Sequence, residues 1–481
     1  MVAGRLNMDV PGGPVEVTTT CLELDDEREA VDIFDEVAGS TYSCFLDSSL
    51  NMPGFGDRSF IGFDPFLVLS TRGTTASFRF RDGREREMEA DPFEALRLAA
   101  SSMVPAGSAG GLPPFAGGGI GYLSYELGRH VEELPYAAVD DLGLPEIAFC
   151  FFDRVVAVDH ATGRKTLVVS TPSGDDAAEA TAGALARMKR GSGAAGGPAQ
   201  AAPGSPLSFE SGFTRDEYLE GVRTVKEYIL AGDIYQANLS QRFSAPLLEP
   251  TWQLYRRLRR LNAAPFSAYM NFGEFAVASS SPERFLSVSG RRVETRPIKG
   301  TRPRSSDPVE DQRQKEELLA SPKDRAELSM IVDLERNDLG RVCDYGSVQV
   351  TENAVLESYA TVHHLVSTVV GDLREGKDIV DLLRATFPGG SITGAPKIRS
   401  MEIIDELEPT ARSVYTGGIG YLGLHGNHDI NVAIRTMIIS GGRVYFQVGG
   451  GIVADSEPEA EFQETLDKGK AMFAAITGVN S

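Results

Sequence analysis

"GGIGYL" stands at residues 118–123, and the same six letters return at residues 417–422. Six matched positions in a row, one set in each half of a 481-residue chain, predict a duplicated α/β unit whose halves pack together. Glycine at alternate positions of a strand also leaves room for another backbone, or a ligand, to come close. Outward from the first copy, "FLVLSTRGTTASFRFRDGREREMEA" (66–90) reads as strands with a "RDGR" turn, and "EIAFCFFDRVVAVDHATGRKTLVVS" (146–170) as a hairpin around "HATGRK". Around the second copy, "AYMNFGEFAVASSS" (268–281), "ERFLSVSGRRVETRP" (283–297) and "DINVAIRTMIISGGRVYFQVGGGIV" (429–453) give more strands. Amphipathic helices are expected at "DPFEALRLAASSM" (91–103) and "TRDEYLEGVRTVKEYILAGD" (214–233), the latter capped by Thr214. The expected fold is α/β of the α+β type: two large, mostly antiparallel sheets packed together and flanked by helices. The small-residue run at 191–207 is expected to be a flexible linker between a domain at 1–190 and a second at 208–478.

With 68 acidic against 47 basic residues the net charge is −21, a field that repels nucleic acid and anionic lipid. The widely spaced Cys21, Cys44, Cys150 and Cys343 suit neither a disulfide framework nor a zinc cage, and point to a reducing cytoplasm. The opening "MVAGRLNMDVPGGP" has no apolar leader and no stretch is apolar for about 18 residues, so neither export nor a membrane span is expected.

Against that acidic background, "RPIKGTRPR" (296–304) sets Lys299 among Arg296, Arg302 and Arg304. Such crowding is expected to depress the Lys299 pKa by like-charge repulsion and leave a neutral amine able to act as a nucleophile. Two helices carry paired acids. "SPKDRAELSMIVDLERNDLGRV" opens with Ser321 as N-cap and Pro322 at the first position, and puts Asp324 and Glu327 on one face. "SEPEAEFQETLDKGKAMFAAI" starts at Pro458 after Ser456 or Glu457, and aligns Glu461, Glu464 and Lys468. Facing one site, these oxygen donors suit a hard divalent cation, and Mg²⁺ is the expected metal.

"FPGGSITGAPKIRS" (387–400) puts a glycine loop before a helix, where N–H groups can meet an anion, but its spacing is not that of a phosphate-binding GxxxxGK[ST] loop. Gly449, Gly450 and Gly451 can offer N–H groups to a carboxylate, and Arg435, in an apparently apolar strand, carries a planar fork suited to the same group. Of His363 and His364, adjacent on a strand, at most one can enter a site.

Together with "NVAIRT" and "GGGIVADSEPEAEFQETLDKGKAM", these segments resemble the chorismate-utilising enzymes, whose members include the anthranilate, aminodeoxychorismate, isochorismate and salicylate synthases. The motifs run in family order over about residues 210–475, and "FLDSSL" (45–50) with "NAAPFSAYM" (262–270) extends the likeness into the first half. The resemblance implies the family's fold, with Mg²⁺ held by Glu327 and Glu464 and by Asp324 and Glu461 nearby. It implies Tyr415, Arg435, Lys468 and the amides of Gly449, Gly450 and Gly451 around the substrate, Glu283 as general acid, and Thr301 and His364 lining the ring. A lysine inside "PIKGT" is similar to aminodeoxychorismate synthase component I, whereas anthranilate synthases usually carry alanine there; Lys299 would form a covalent adduct. Gln236 replaces the water-activating lysine of the isochorismate and salicylate synthases. The implied partners are chorismate, ammonia and a glutaminase subunit, since no glutaminase domain is evident. Ser48, Pro265 and Ser267 match the family's tryptophan pocket. Two alternatives remain: an anthranilate synthase component I, and a non-catalytic, effector-binding regulator of a glutaminase.

Overall fold

A computed structural model describes residues 14–189, except 51, 53, 108, 109 and 136, and residues 207–478, except 360 and 361. The proposed linker therefore lies almost wholly outside the described residues.

The two GGIGYL segments meet each other. Strands Gly118–Leu123 and Gly418–Gly423 pair antiparallel, with Gly121 opposite Gly420. Their glycines are required by backbone packing: a Cβ on Gly121 would lie 2.1 Å from the Ala148 carbonyl oxygen, and one on Gly420 2.0 Å from that of Asp429. This junction joins the halves of a 12-stranded sheet, and Ser43–Asp47 against Phe266–Asn271 joins those of a 13-stranded sheet. Residues 1–190 and 208–478 thus share both sheets edge to edge. Among the described strands only Val15–Glu23 with Met103–Pro105 is parallel.

The sequence period of two sorts side chains between layers. Val68 and Cys44 face the interior between the sheets with Tyr122, Phe152 and Tyr421, while Leu67, Leu69 and Phe45 face outward onto helices. One outer face is covered by the helices Pro92–Ala100, Pro322–Gly340 and Ile379–Thr386, the other by Ala30–Phe34, Thr251–Leu261 and Pro458–Thr477. The result is the expected two packed sheets flanked by helices. Thr214 closes a capping box with Glu217, and the Ser321 hydroxyl accepts from the Asp324 N–H, as read from the sequence. Among the described residues no helix is long and apolar enough to cross a membrane.

Candidate active site

Lys299 lies on Ile298–Pro303, a strand paired with Val362–Asp372. The ladder slips between Lys299 and Thr301, where Gly300 takes φ 75°. A Cβ at Gly300 would stand 2.9 Å from Asp324 Cβ and from Leu318 Cδ1, so the glycine of "PIKGT" lets this strand press against the first acidic helix. Lys299 is half-buried and its Nζ donates to the Ser391 carbonyl oxygen at 3.0 Å. Its pKa is lowered, first by burial and then by the Lys468 ammonium, against the opposing pull of Glu327, Glu283 and Glu464.

The three arginines are not the cause expected of them. Arg296 is paired with Glu352 at 2.9 Å and also with Glu357, Arg302 with Glu317 and Asp324 at 3.2 Å each, and Arg304 with Asp311 at 2.7 Å. Each guanidinium is neutralised by a carboxylate, and desolvation does the work that repulsion was expected to do.

The acidic pairs converge from the two helices. Burial pushes Glu327 up, and the neighbouring charges of Asp324 and Glu461 push it further. Glu461 is raised by burial and by Glu464, and its Oε1 accepts from the Ser456 hydroxyl at 2.5 Å. Burial also opposes ionisation of Glu464, but Lys468, at 2.6 Å, with Lys323 and Lys299 outweighs it and holds that carboxyl low. Crowded, partly desolvated carboxylates of this kind suit a hard divalent cation. They do not form a ready cage: among the described residues no three converge as a metal cluster, Asp324 is engaged by Arg302, and the Lys323 and Lys468 ammonium groups stand among them.

Glu283 is buried behind Lys299, and its Oε1 accepts from the Ile298 N–H at 3.4 Å. Burial raises its pKa, and the Ser391 side chain and Lys299 offset part of the rise. A carboxyl that resists ionisation beside a lysine that resists protonation is a competent acid and nucleophile pair.

Arg435 departs from its expected strand: it occupies the break between Asn427–Val432 and Thr436–Ser440, with φ 53°. Burial lowers its pKa, the Tyr415 and Glu464 side chains offset part of the fall, and no carboxylate lies within 4.0 Å of it among the described residues. Tyr415 is buried and pushed up to about 12, chiefly by desolvation. His364 accepts from or donates to the Thr301 hydroxyl through Nδ1 at 2.9 Å, and burial lowers it to about 4. His363 points the other way, bonded to Asp311 and Ser358, so one histidine of the pair faces the site.

Strand Arg443–Ile452 loses its neighbour Thr436–Ser440 after Phe446, leaving one edge of Gly449–Gly451 without a strand partner. The Gly449 carbonyl accepts from Lys468 Nζ at 2.9 Å, and a Cβ on Gly450 would lie 3.3 Å from Glu461 Oε2. Gln236, fully buried beside Gly451, has a side-chain oxygen without a hydrogen-bond partner.

The glycine loop behaves differently from its reading as an anion cradle. Its Gly390 N–H donates to Glu335, and it turns the Ser391 carbonyl toward two N–H donors: the Lys299 Nζ amine and, at 2.9 Å, the Asn238 Nδ2 amide. Sequence reasoning missed Ser391, Asn238, Glu335 and the buried Arg412–Glu408 pair, which ties the Ile392 and Asn238 carbonyls together. For Ser391 the signal was its place in "PGGSITGAPK"; for the others no spacing marks them.

Ser48, Pro265 and Ser267 lie apart from this cluster. With Phe55, Phe266, Arg284 and Tyr421 they line a cavity of about 450 Å³. The Ser48 hydroxyl already donates to the Arg58 carbonyl oxygen at 2.6 Å.

Comparison with known proteins agrees with this geometry. Residues 56–474 match the family model described as chorismate binding enzyme. The chain is 48% identical over 355 residues to aminodeoxychorismate synthase component 1 of Klebsiella aerogenes (74% of this chain, 76% of that protein). It is 42% identical over 467 residues to anthranilate synthase component 1 of Streptomyces coelicolor (94% and 87%). Among solved structures it matches anthranilate synthase component I from Streptococcus pneumoniae with TM-score 0.75 at 32% identity, covering 88% of this chain and 92% of that one. The Escherichia coli menaquinone-specific isochorismate synthase shares the fold, with TM-score 0.70 at 18% identity, covering 96% and 95%. The chain belongs to the chorismate-binding enzymes and is a chorismate-utilising enzyme.

Proposed function

We propose that the protein is an aminodeoxychorismate synthase component I, converting chorismate and ammonia to 4-amino-4-deoxychorismate for 4-aminobenzoate and folate formation. The observation that carries the reading is Lys299: a lysine with a lowered pKa, beside a buried acid, with Glu327 and Glu464 of the two acidic helices as its charged neighbours.

Chorismate is a dianion with a poor leaving group at C4. Arg435, without a carboxylate partner among the described residues, Tyr415 and the open edge at Gly449–Gly451 receive the enolpyruvyl carboxylate; Lys468 helps once released from Glu464. Glu327 and Glu464, with Asp324 and Glu461 beside them, would hold Mg²⁺, which would supply charge neutralisation for the ring carboxylate. Thr301 and His364 line the ring. Lys299 Nζ forms a bond to C2 as the C4–O bond breaks, the ring double bonds shift by one position, and Glu283 gives its proton to the departing hydroxyl, which leaves as water. Ammonia then bonds to C4 while the C2–N bond breaks, restoring the diene and the neutral lysine, and the proton shed by ammonia returns to Glu283.

The neutral amine with a protonated acid and the ammonium–carboxylate pair hold the same number of protons. Proton count therefore does not choose between them; burial favours the neutral pair. Gln236, an amide at the position of the water-activating lysine, supplies no base for adding water. Ammonia would come from a glutaminase subunit. The cavity at Ser48, Pro265 and Ser267 is read as a tryptophan-like effector pocket, and the working surroundings of Lys299 argue against a purely regulatory protein.

The test is product analysis from chorismate, Mg²⁺ and ammonium, with mass spectrometry of the protein when ammonia is omitted. Expected are a product that yields 4-aminobenzoate only after a lyase is added, and a mass gain on Lys299 equal to chorismate minus water. Direct release of anthranilate would identify the alternative, anthranilate synthase component I. Full activity in Lys299→Ala would end the covalent role.

A further inference from the structure

Glu335 sits on the Pro322–Gly340 helix, two turns beyond the acids that face the substrate side, and is 2% exposed. One carboxyl oxygen accepts from the Gly390 N–H at 3.3 Å; the other has no hydrogen-bond partner. Three charged groups bear on it. Asp338, on the same helix, is paired with Lys397 at 2.5 Å, Lys397 comes from the helix Lys397–Leu407, and Glu283 lies in the short link between strands Phe275–Ser281 and Arg284–Ser289. Burial, and then Asp338, push Glu335 up to about 8. A buried carboxyl with a free oxygen is less stable than an apolar side chain of similar shape would be. The fold's own contacts with Glu335 amount to a grip on one turn.

That turn is the one the chemistry uses. Gly390–Ile392 is a single tight turn, and its next residue after the gripped amide, Ser391, accepts from Lys299 Nζ and flanks Glu283. Leu334 of the same helix packs against it too: its Cδ2 lies 2.5 Å from where a Cβ on Gly390 would be. We propose that Glu335 is a positioning residue: by holding the Gly390 N–H from the helix side it sets where the Ser391 carbonyl, and with it Lys299 and Glu283, stand relative to the substrate. This rests on the proposed reaction but not on which amine-bearing product forms.

The test follows chorismate consumption by its ultraviolet absorbance, with Mg²⁺ and ammonium, in wild type, Glu335→Leu and Glu335→Gln, with thermal melting alongside. Loss of one anchoring hydrogen bond at a reacting centre is expected to lower kcat about tenfold in Glu335→Leu. KM for chorismate should change by less than about threefold, because substrate contacts are intact. Glu335→Gln keeps an oxygen for Gly390 and should stay within about threefold of wild type. Wild-type kcat in folded Glu335→Leu, a loss carried by KM, or equal impairment of both variants overturns the proposal. Should Glu335→Leu not fold, Gly390→Ala pushes the same turn away from the helix, because its Cβ would meet Leu334 and Glu335: the same kcat-only loss is expected, and an unchanged kcat overturns the proposal. A wild type that consumes no chorismate would instead refute the proposed function, so the two failures are distinguishable.

Discussion

Arg435 offers a substitution whose effects on stability and on activity should have opposite signs. The residue holds φ 53° without being glycine, and its guanidinium is half-buried with no carboxylate within reach among the described residues. Left-handed backbone costs an arginine about 1–2 kcal/mol, and asparagine tolerates it better. Arg435→Asn therefore removes an unpaired, poorly solvated charge and relaxes part of that strain, for a net gain of about 1 kcal/mol in unfolding free energy. The same change deletes a charge-assisted contact with a substrate carboxylate, worth about 1.5–3 kcal/mol, which raises KM for chorismate about 10- to 150-fold. The assays are urea unfolding at neutral pH and steady-state consumption of chorismate. A variant destabilised by more than about 1 kcal/mol with KM unchanged would refute the reasoning, because it would mean that Arg435 is a structural cation.

Three further outcomes are expected. Glu283→Gln keeps the shape and an acceptor for the Ile298 N–H but cannot donate a proton, so kcat should fall about 10²- to 10⁴-fold with the melting temperature nearly unchanged; activity within threefold of wild type would remove Glu283 as the acid. Mg²⁺ should raise the melting temperature of the wild type and not that of Glu327→Gln, a comparison that reads metal binding without turnover. Acid should weaken the fold through two partly desolvated histidines. His364 and His428 are each lowered by burial to about 4 from an ordinary 6.5, so the unfolded chain takes up protons between these values while the folded one does not. Stability is then fully present above about pH 6.5 and is lost as the pH falls toward 4, by up to about 3 kcal/mol per residue. His428→Leu should flatten the urea midpoint over that range, and an equally steep fall in the variant would contradict the assignment.

The sequence by itself determined the strand and helix pattern, the caps at Thr214 and Ser321 and the pairing of acids on two helices, and it singled out Lys299 for attention. All of these rest on local spacing, turn chemistry or motif, which act between residues close in the chain. It also flagged the doubled GGIGYL and halves that pack together, but not that the two copies would pair as adjacent strands. Only the tertiary structure decided that. Hydrogen bonding across the junction closed each sheet from both halves of the chain, and glycine was the residue that fitted a backbone at 2 Å from its missing Cβ. The pKa argument at Lys299 reached the right direction from the wrong cause, since charge partners such as Glu357 and Asp311 are set by folding and turn a cationic cluster into neutral pairs. Ser391, Glu335 and Arg412 were illegible for the same reason. Their roles come from which carbonyl, amide or carboxylate the fold brings against them, a property of distance in space that no spacing along the chain encodes.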